Sequence, residues 1–280
     1  MATTGSQTGV TTSHGSRAVA PPHGTRFLWW RAALGWFSLA RAWWRSLLVR
    51  SVLEPVLYLL GLGFGLGTLV DAGGDGPGEV PYAAFVAGGV LVASAMSSGF
   101  GESAWPVLGA IKWQRQYHAQ LASPLRVRDV LLGHLFFMTV RLLVTVVPFW
   151  LVIVAFGLVS WPTAPWAVPA AVLTGLAFAT PVAAFSATTD TDTAFALLLR
   201  FAIIPMFLFS GVFYPVGDLP VWLQPVVQVL PLWHGVELSR AATLGTDLGA
   251  LVVLGHVGYL LLWAVGGLLV ALRTYTRRLT

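Results

Sequence analysis

Apolar stretches of membrane-crossing length recur along the chain, separated by short polar or Gly/Pro-rich breaks. A helix needs about 20 mostly apolar residues to cross a bilayer. The pattern predicts six such spans, at about 51–70, 82–100, 130–159, 167–187, 193–212 and 248–272. Two segments depart from it. In 27–45, FLWWRAALGWFSLARAWWR, the residues Arg31, Ser38, Arg41 and Arg45 fall on one side of a helix, while Phe27, Trp29, Trp36, Phe37 and Trp43 occupy much of the rest. A basic stripe beside Trp and Phe predicts a helix lying in the membrane interface. Between the fifth and sixth spans, FYPVGDLPVWLQPVVQVLPLWHGVELSRAATLG is apolar but broken by Pro215, Pro220, Pro225 and Pro231. None of its pieces is long enough to cross. Interrupted apolar backbone is tolerated where protein buries it or where it lines a cavity, so the expectation is a pair of short re-entrant helices entering from outside. The fold class is therefore all-α integral membrane protein. Residues 1–24 are Ser/Thr/Gly-rich and lack the apolar region of about 7–15 residues that a secretory signal requires. They read as a disordered cytoplasmic tail, leaving 25–280 as one transmembrane domain.

Charge orients this array. The chain is 56% hydrophobic and only 10% charged, where soluble domains carry about 25%. Nearly every Arg and the single Lys lie in breaks that alternate to one side: Lys112, Arg115, Arg126 and Arg128 after the second span, and Arg273, Arg277 and Arg278 after the sixth. The first loop, DAGGDGPGEVP, is acidic and has neither Lys nor Arg. Because basic segments stay on the cytoplasmic side, both ends face inward. Arg141, inside the third span, and Arg240, in an outer segment, are the two exceptions.

Several breaks and polar positions carry further expectations. Gly61, Gly63, Gly65 and Gly67 satisfy G-x-x-x-G twice, which either permits close helix approach or marks a flexible outer end. Glu54-Pro55 stands near the inner end of the same span. Ile111 to Leu121 reads as a short helix ended by Ser123-Pro124, either a plain connector or a docking surface for a soluble partner. An intramembrane cation such as Arg141 is by default a functional-site candidate, unless a long tilted helix lets it snorkel. His134 reads as a polar contact. Asp190 and Asp192 read as N-caps of the fifth span, not as a metal pair.

The chemistry on offer is thin. The only Lys, Lys112, is followed by Trp113, so no G-x-x-x-x-G-K-[ST] phosphate loop exists. No Cys is present, which removes thiolate ligands and thiol nucleophiles. His234 and Glu237 are one helical turn apart but lack a second pair, so neither a metal nor a catalytic site is expected. No basic-aromatic domain suits nucleic acid; the basic flanks fit anionic membrane lipids better. A relay of intramembrane carboxylates is missing too. These absences describe the passive membrane half of a larger machine. Two alternatives are an intramembrane enzyme using His134 or His234, and an ATP-independent channel or scaffold.

Phe207 to Gly245, FLFSGVFYPVGDLPVWLQPVVQVLPLWHGVELSRAATLG, carries S-G-x-x-[FY]-P-x-x-x-L-P, then P-L-x-H and a later Arg. This segment resembles the C-terminal signature of ABC-2-type permeases, most closely the NodJ branch near the daunorubicin-resistance permeases. GLGFGLG (Gly61 to Gly67) is similar to the glycine-rich end of that family's first span, and LASPLRVRDVLLGHL (Leu121 to Leu135) to its approach to the third. Where the family pattern often has an acidic residue after the position of Gly133, this chain has His134. The resemblance implies a permease subunit of a bacterial cytoplasmic-membrane exporter, moving a lipidic, glycolipid or amphipathic drug-like molecule outward. It implies two permease copies, in a homodimer, with two ABC ATPase subunits that hold ATP and Mg. It also implies roles by position: an interfacial helix with Arg31, Arg41 and Arg45; an ATPase-coupling segment of Lys112, Trp113, Gln114, Arg115, Gln116, Tyr117 and His118; and a re-entrant signature of Ser210, Gly211, Pro215, Leu219, Pro220, Pro231, His234 and Arg240. The substrate path expected with it contains Phe207, Phe209, Phe213 and Arg141.

Overall fold

The structure, a computed structural model, describes residues 28–41, 49, 53, 56–73 and 80–280. The tail at 1–24, Arg45, Glu54-Pro55 and most of the first loop lie outside the described residues. Regular structure among the described residues is entirely helical. Backbone polar groups in hydrocarbon have no water to bond, and a helix satisfies them within one segment.

Helix α1 (Trp29–Ala40) is followed by a π-helical stretch, Leu59–Leu66, that continues into α2 (Gly67–Gly73). Next come α3 (Tyr82–Ser103), the short α4 (Trp105–Lys112) and α5 (Gln116–Leu121), and then α6 (Val127–Ala155) and α7 (Ala167–Ser186). The chain ends with α8 (Thr193–Phe209), interrupted by a π turn at Leu199–Ile203, then α9 (Gln224–Gln228), α10 (Pro231–Leu244) and α11 (Ala250–Leu279). Among the described residues, four helical runs are long and apolar enough to cross a membrane: Tyr82–Lys112, Val127–Ala155, Ala164–Ser186 and Ala250–Leu279. The fifth expected span is a shorter apolar helix, α8, and only part of the first is described.

Helix α3 is the centre. Its most apolar window is 83% buried, against 17% for α11, because α3 has apolar or small residues on every side and so must be covered on every side. Helices α6, α7 and α10 pack around it, α11 lies outside α7, and α1 lies across α6. Gly99 of α3 meets Gly175 of α7 so closely that a Cβ on Gly99 would collide with the Gly175 carbonyl. Of the glycine run in the first span, Gly63 and Gly67 face α3 at Ala83 and Tyr82, whereas Gly61 faces open space. G-x-x-x-G thus serves close approach at two of the four positions.

Several boundaries differ from the sequence expectation, each for a local reason. The second span runs on past 100, breaks at Ala104 (φ −80°, ψ −87°) and resumes as α4 to Lys112. The expected helix from Ile111 to Leu121 is therefore two pieces. Trp113 N and Gln114 N both close on Gly109 O, and Arg115 takes φ 50° before α5 begins. Helix α6 begins at Val127, earlier than 130, because the Asp129 carboxylate accepts the Arg126 N–H at 3.1 Å, half of a capping box. Helix α11 extends to Leu279, carrying Arg277 and Arg278 in its last turn, where cations suit the helix dipole. Asp192 does stand at the start of α8, but no side-chain capping bond forms there. Asp190 instead ties helix ends together: its carbonyl accepts Lys112 Nζ at 2.7 Å and its carboxylate pairs with Arg278. Lys112, Asp190 and Arg278 thus gather at one end of the bundle. At the other, Ser160 N donates to Thr243 O at 2.6 Å and Thr163 Oγ1 to Ala242 O at 2.8 Å.

Gly99→Ala is expected to destabilise the protein by about 1–3 kcal/mol, because the extra methyl meets backbone that cannot yield. Gly101→Ala, where a Cβ meets nothing within 4 Å, should be neutral or stabilising through helix propensity. Denaturation in mixed micelles measures both; equal effects at the two positions would contradict the close α3–α7 crossing.

Candidate coupling site and re-entrant segment

Helix α5 has six residues, too few to hold itself together in isolation. One side chain anchors it. Tyr117 is fully buried and its hydroxyl lies 2.7 Å from His134 Nδ1 of α6. Trp36 of α1 stacks flat on the other face of this arrangement, 4.1 Å from the His134 ring centre with the planes 6° apart. Tyr275, near the end of α11, closes it at 5.5 Å from the Tyr117 ring. Four helices therefore meet around two rings. Burial first, and the neighbouring Tyr275 second, push the Tyr117 hydroxyl well above the usual tyrosine range, so it remains protonated. Either tautomer of His134 preserves the bond, and in each Nε2 is left without a partner. His134 is a polar contact, as expected from sequence, and stands here on the α1–α6 contact. There Gly133 lets α1 in: a Cβ at Gly133 would lie 2.6 Å from Ala32 Cβ and from Trp29 O.

The rest of the predicted coupling segment faces outward. Lys112, Trp113, Gln114, Arg115 and His118 are exposed, Gln116 is half-buried, and only Tyr117 is sunk. On α1 the buried side is Ala32, Ala33 and Trp36, while Arg31 and Arg41 are exposed. The predicted amphipathic sides are therefore the observed ones, but the apolar side packs on α6.

Arg141 is paired. Its Nε donates to Glu102 Oε1 at 3.1 Å and its Nη2 reaches the same oxygen. A cation at membrane depth is costly unless it is matched. Glu102 meets it because α3 runs on past the boundary expected at residue 100. Of the residues expected along a substrate path, Phe207 and Phe213 pack edge-on at 5.0 Å and Phe209 is exposed, while Arg141 belongs with Glu102.

The re-entrant signature residues hold the broken segment in shape. Ser210 is buried, and Gly211 has φ +78° and gives its carbonyl to Arg240 Nη2. Arg240 also lies 3.7 Å over the Phe85 ring of α3 and 3.5 Å from Glu237. Pro215 and Pro220 supply carbonyls to Asp218 N (3.1 Å) and Leu223 N (2.8 Å), and Leu219 O accepts Gln224 Nε2 at 2.9 Å. Pro231 opens α10, where its missing N–H costs nothing, and is buried. His234 Nδ1 lies 2.7 Å from His256 Nδ1 of α11, with Tyr259 stacked on His234 at 4.0 Å. Sequence reading singled out His234 without pairing it with His256. It missed Glu102 and Tyr275 altogether, and placed Trp36 on the aromatic side of α1 without a partner, since no local spacing links these residues to what they face.

A multi-pass helical membrane protein is thus defined, with a short anchored helix at its basic end and a proline-broken pair of short helices at the other. The ABC-2 type transporter family pattern matches residues 29–244, and the chain belongs to that family. It is similar to Nodulation protein J of Rhizobium leguminosarum bv. viciae, 31% identical over 94% of this chain and 98% of the relative. Nodulation protein J of Rhizobium leguminosarum bv. trifolii is 32% identical over 85% and 87%. That of Sinorhizobium fredii (strain NBRC 101917 / NGR234) is 32% identical over 84% and 89%. The protein is therefore a transporter membrane component.

Tyr117→Phe should cost about 1–3 kcal/mol, because it strands His134 Nδ1 in a buried site. Adding His134→Leu should cost less than the sum of the two single changes, since both act through one bond. Denaturant titration of the four-protein cycle checks this; strict additivity would show that the bond does not hold α5.

Proposed function

We propose that this chain is the permease subunit of an ATP-driven exporter in a bacterial cytoplasmic membrane, with six spans, both ends inside, and the Lys112–Arg278 end facing the cytoplasm. One observation carries the reading: the turn before α5 presents Trp113 and Arg115 outward and α5 itself presents His118, while its sole buried residue, Tyr117, reaches rings from α1, α6 and α11. A short helix bound outside by a soluble subunit and inside by three other helices is a device for passing force inward. In this reading two permease copies, in a homodimer, meet two ATPase subunits that bind ATP and Mg. Closure of the ATPase pair pushes α5. The push passes through Tyr117 to His134, and so to α1 and the first turns of α6, while Tyr275 carries it to the end of α11. The two copies part, and a lipidic, glycolipid or amphipathic drug-like molecule moves outward past apolar side chains that include Phe207, Phe209 and Phe213. The chain contributes path and coupling but no hydrolysis. Its similarity to Nodulation protein J over nearly full length supports the exporter class, and the cargo class comes from the apolar lining.

Replacing Trp113, Arg115 and His118 together with Ala should abolish co-purification of the ATPase while leaving the melting temperature unchanged, because all three are exposed. Tyr117→Ala should lower both. Transport and ATPase retention that survive the triple replacement would remove α5 from the docking surface.

A further inference from the structure

Helices α7 and α11 touch at one tight crossing. A Cβ on Gly267 would lie 2.5 Å from Thr180 Oγ1 and 2.6 Å from Pro181 Cδ, so only glycine allows the contact. One residue earlier, a Cβ on Gly266 meets nothing within 4 Å. Beside the crossing the helices diverge around a groove of about 730 Å³. Its walls are Pro181, Phe185, Trp263, Gly266 and Val270, and its polar residues at the basic end are Thr188 and Thr274. Along α11 the wall positions Trp263, Gly266, Val270 and Thr274 repeat every three or four residues. The next positions on that stripe are Arg277 and Arg278.

Beyond Thr274 the same stripe of α11 leads to the basic end of the bundle. Arg278 reaches Asp190, whose carbonyl holds Lys112 Nζ at 2.7 Å. Lys112, Arg277 and Arg278 outnumber the two carboxylates of the adjoining link, Asp190 and Asp192. The Asp190 side chain is 64% exposed, and an ion pair this wet contributes little, so Arg278 can exchange it for a phosphate at little cost. Phe185, Trp263 and Val270 are all exposed in the isolated chain. An apolar trough that ends in two hydroxyls, with cations further along the same helix, matches one kind of occupant, an acyl chain joined to an anionic headgroup.

We infer that the α7–α11 groove seats one anionic glycerophospholipid from the leaflet at the basic end, its acyl chain along Trp263, Gly266 and Val270 and its phosphate between Arg277 and Arg278. The inference rests on the membrane placement proposed above but not on ATP coupling. Bound lipid holds the end of α11, and with it Tyr275, against the link after α7.

The test is native mass spectrometry of the full chain purified in detergent, with phosphatidylglycerol or phosphatidylcholine of identical oleoyl chains added at equal concentration. Wild type should retain phosphatidylglycerol about fivefold more, the order expected for a few basic groups near an anionic lipid. Arg277→Gln with Arg278→Gln should bring retention down to the phosphatidylcholine level. Gly266→Leu, which fills open space and favours helix, should reduce retention of both lipids. Equal retention of the two lipids by wild type overturns the site, as does an unchanged preference in the double Gln variant. Displacement by soluble glycerophosphate would assign binding to the anion alone and overturn the groove. ATPase co-purification from the same preparations separates the proposals: lipid preference lost with the ATPase still bound sinks only this one.

Discussion

Burying α3 on every side is the constraint that shapes the molecule. Apart from Glu102 and Ser103 in its last turn, α3 gives its neighbours little to hydrogen-bond except backbone, so contact along the rest of it depends on approach distance. Small residues supply that at the α7 crossing, where Gly99 and Gly175 bring backbone against backbone. The same need explains the broken segment at the opposite end. Helix α10 covers the outer half of α3, with Ser239 Oγ donating to Gly88 O at 2.9 Å and Arg240 lying over Phe85. A straight span continuing α8 would leave that half of α3 uncovered. The prolines that stop the segment from crossing are what fold it back as a cover.

The two ends of the bundle are held by different chemistry. At the basic end, rings do most of the work: Trp36, His134, Tyr117 and Tyr275 bring together helices from four parts of the chain. At the other end hydrogen bonds dominate, from Ser160, Thr163, Gln224 and the His234–His256 pair. Flat stacked rings tolerate sliding better than directed hydrogen bonds, because dispersion depends weakly on lateral offset.

What could be read from the sequence follows from how far each signal reaches. Hydrophobic runs are a property of twenty neighbouring residues, so the long helices and the interruption before α11 were legible. So was the exposed basic side of α1, since its period lies within one helix. The breaks at Ala104 and Arg115 were not, because no Pro or Gly stands at either position and φ/ψ there is set by what the flanking helices pack against. The pairs were illegible for another reason. Glu102 and Arg141 are 39 residues apart, and His234 and His256 are 22 apart. A single sequence reports what each residue is and says nothing about which distant residue it faces. The family signature marked Ser210, Gly211 and Arg240 as special without indicating that one carbonyl and one guanidinium join the last two.

The π-helical stretches at Leu59–Leu66 and Leu199–Ile203 fall in two thinly covered helices, where Leu57, Leu60, Leu197 and Phe201 are all exposed. A π turn holds one residue more than an α turn and is frequent at functional sites. That surplus residue is a crease. Passing it one position along the helix rotates everything beyond it while every carbonyl keeps a partner. These two helices can therefore turn a different side to a neighbour without lengthening, unwinding or exposing a single amide to lipid.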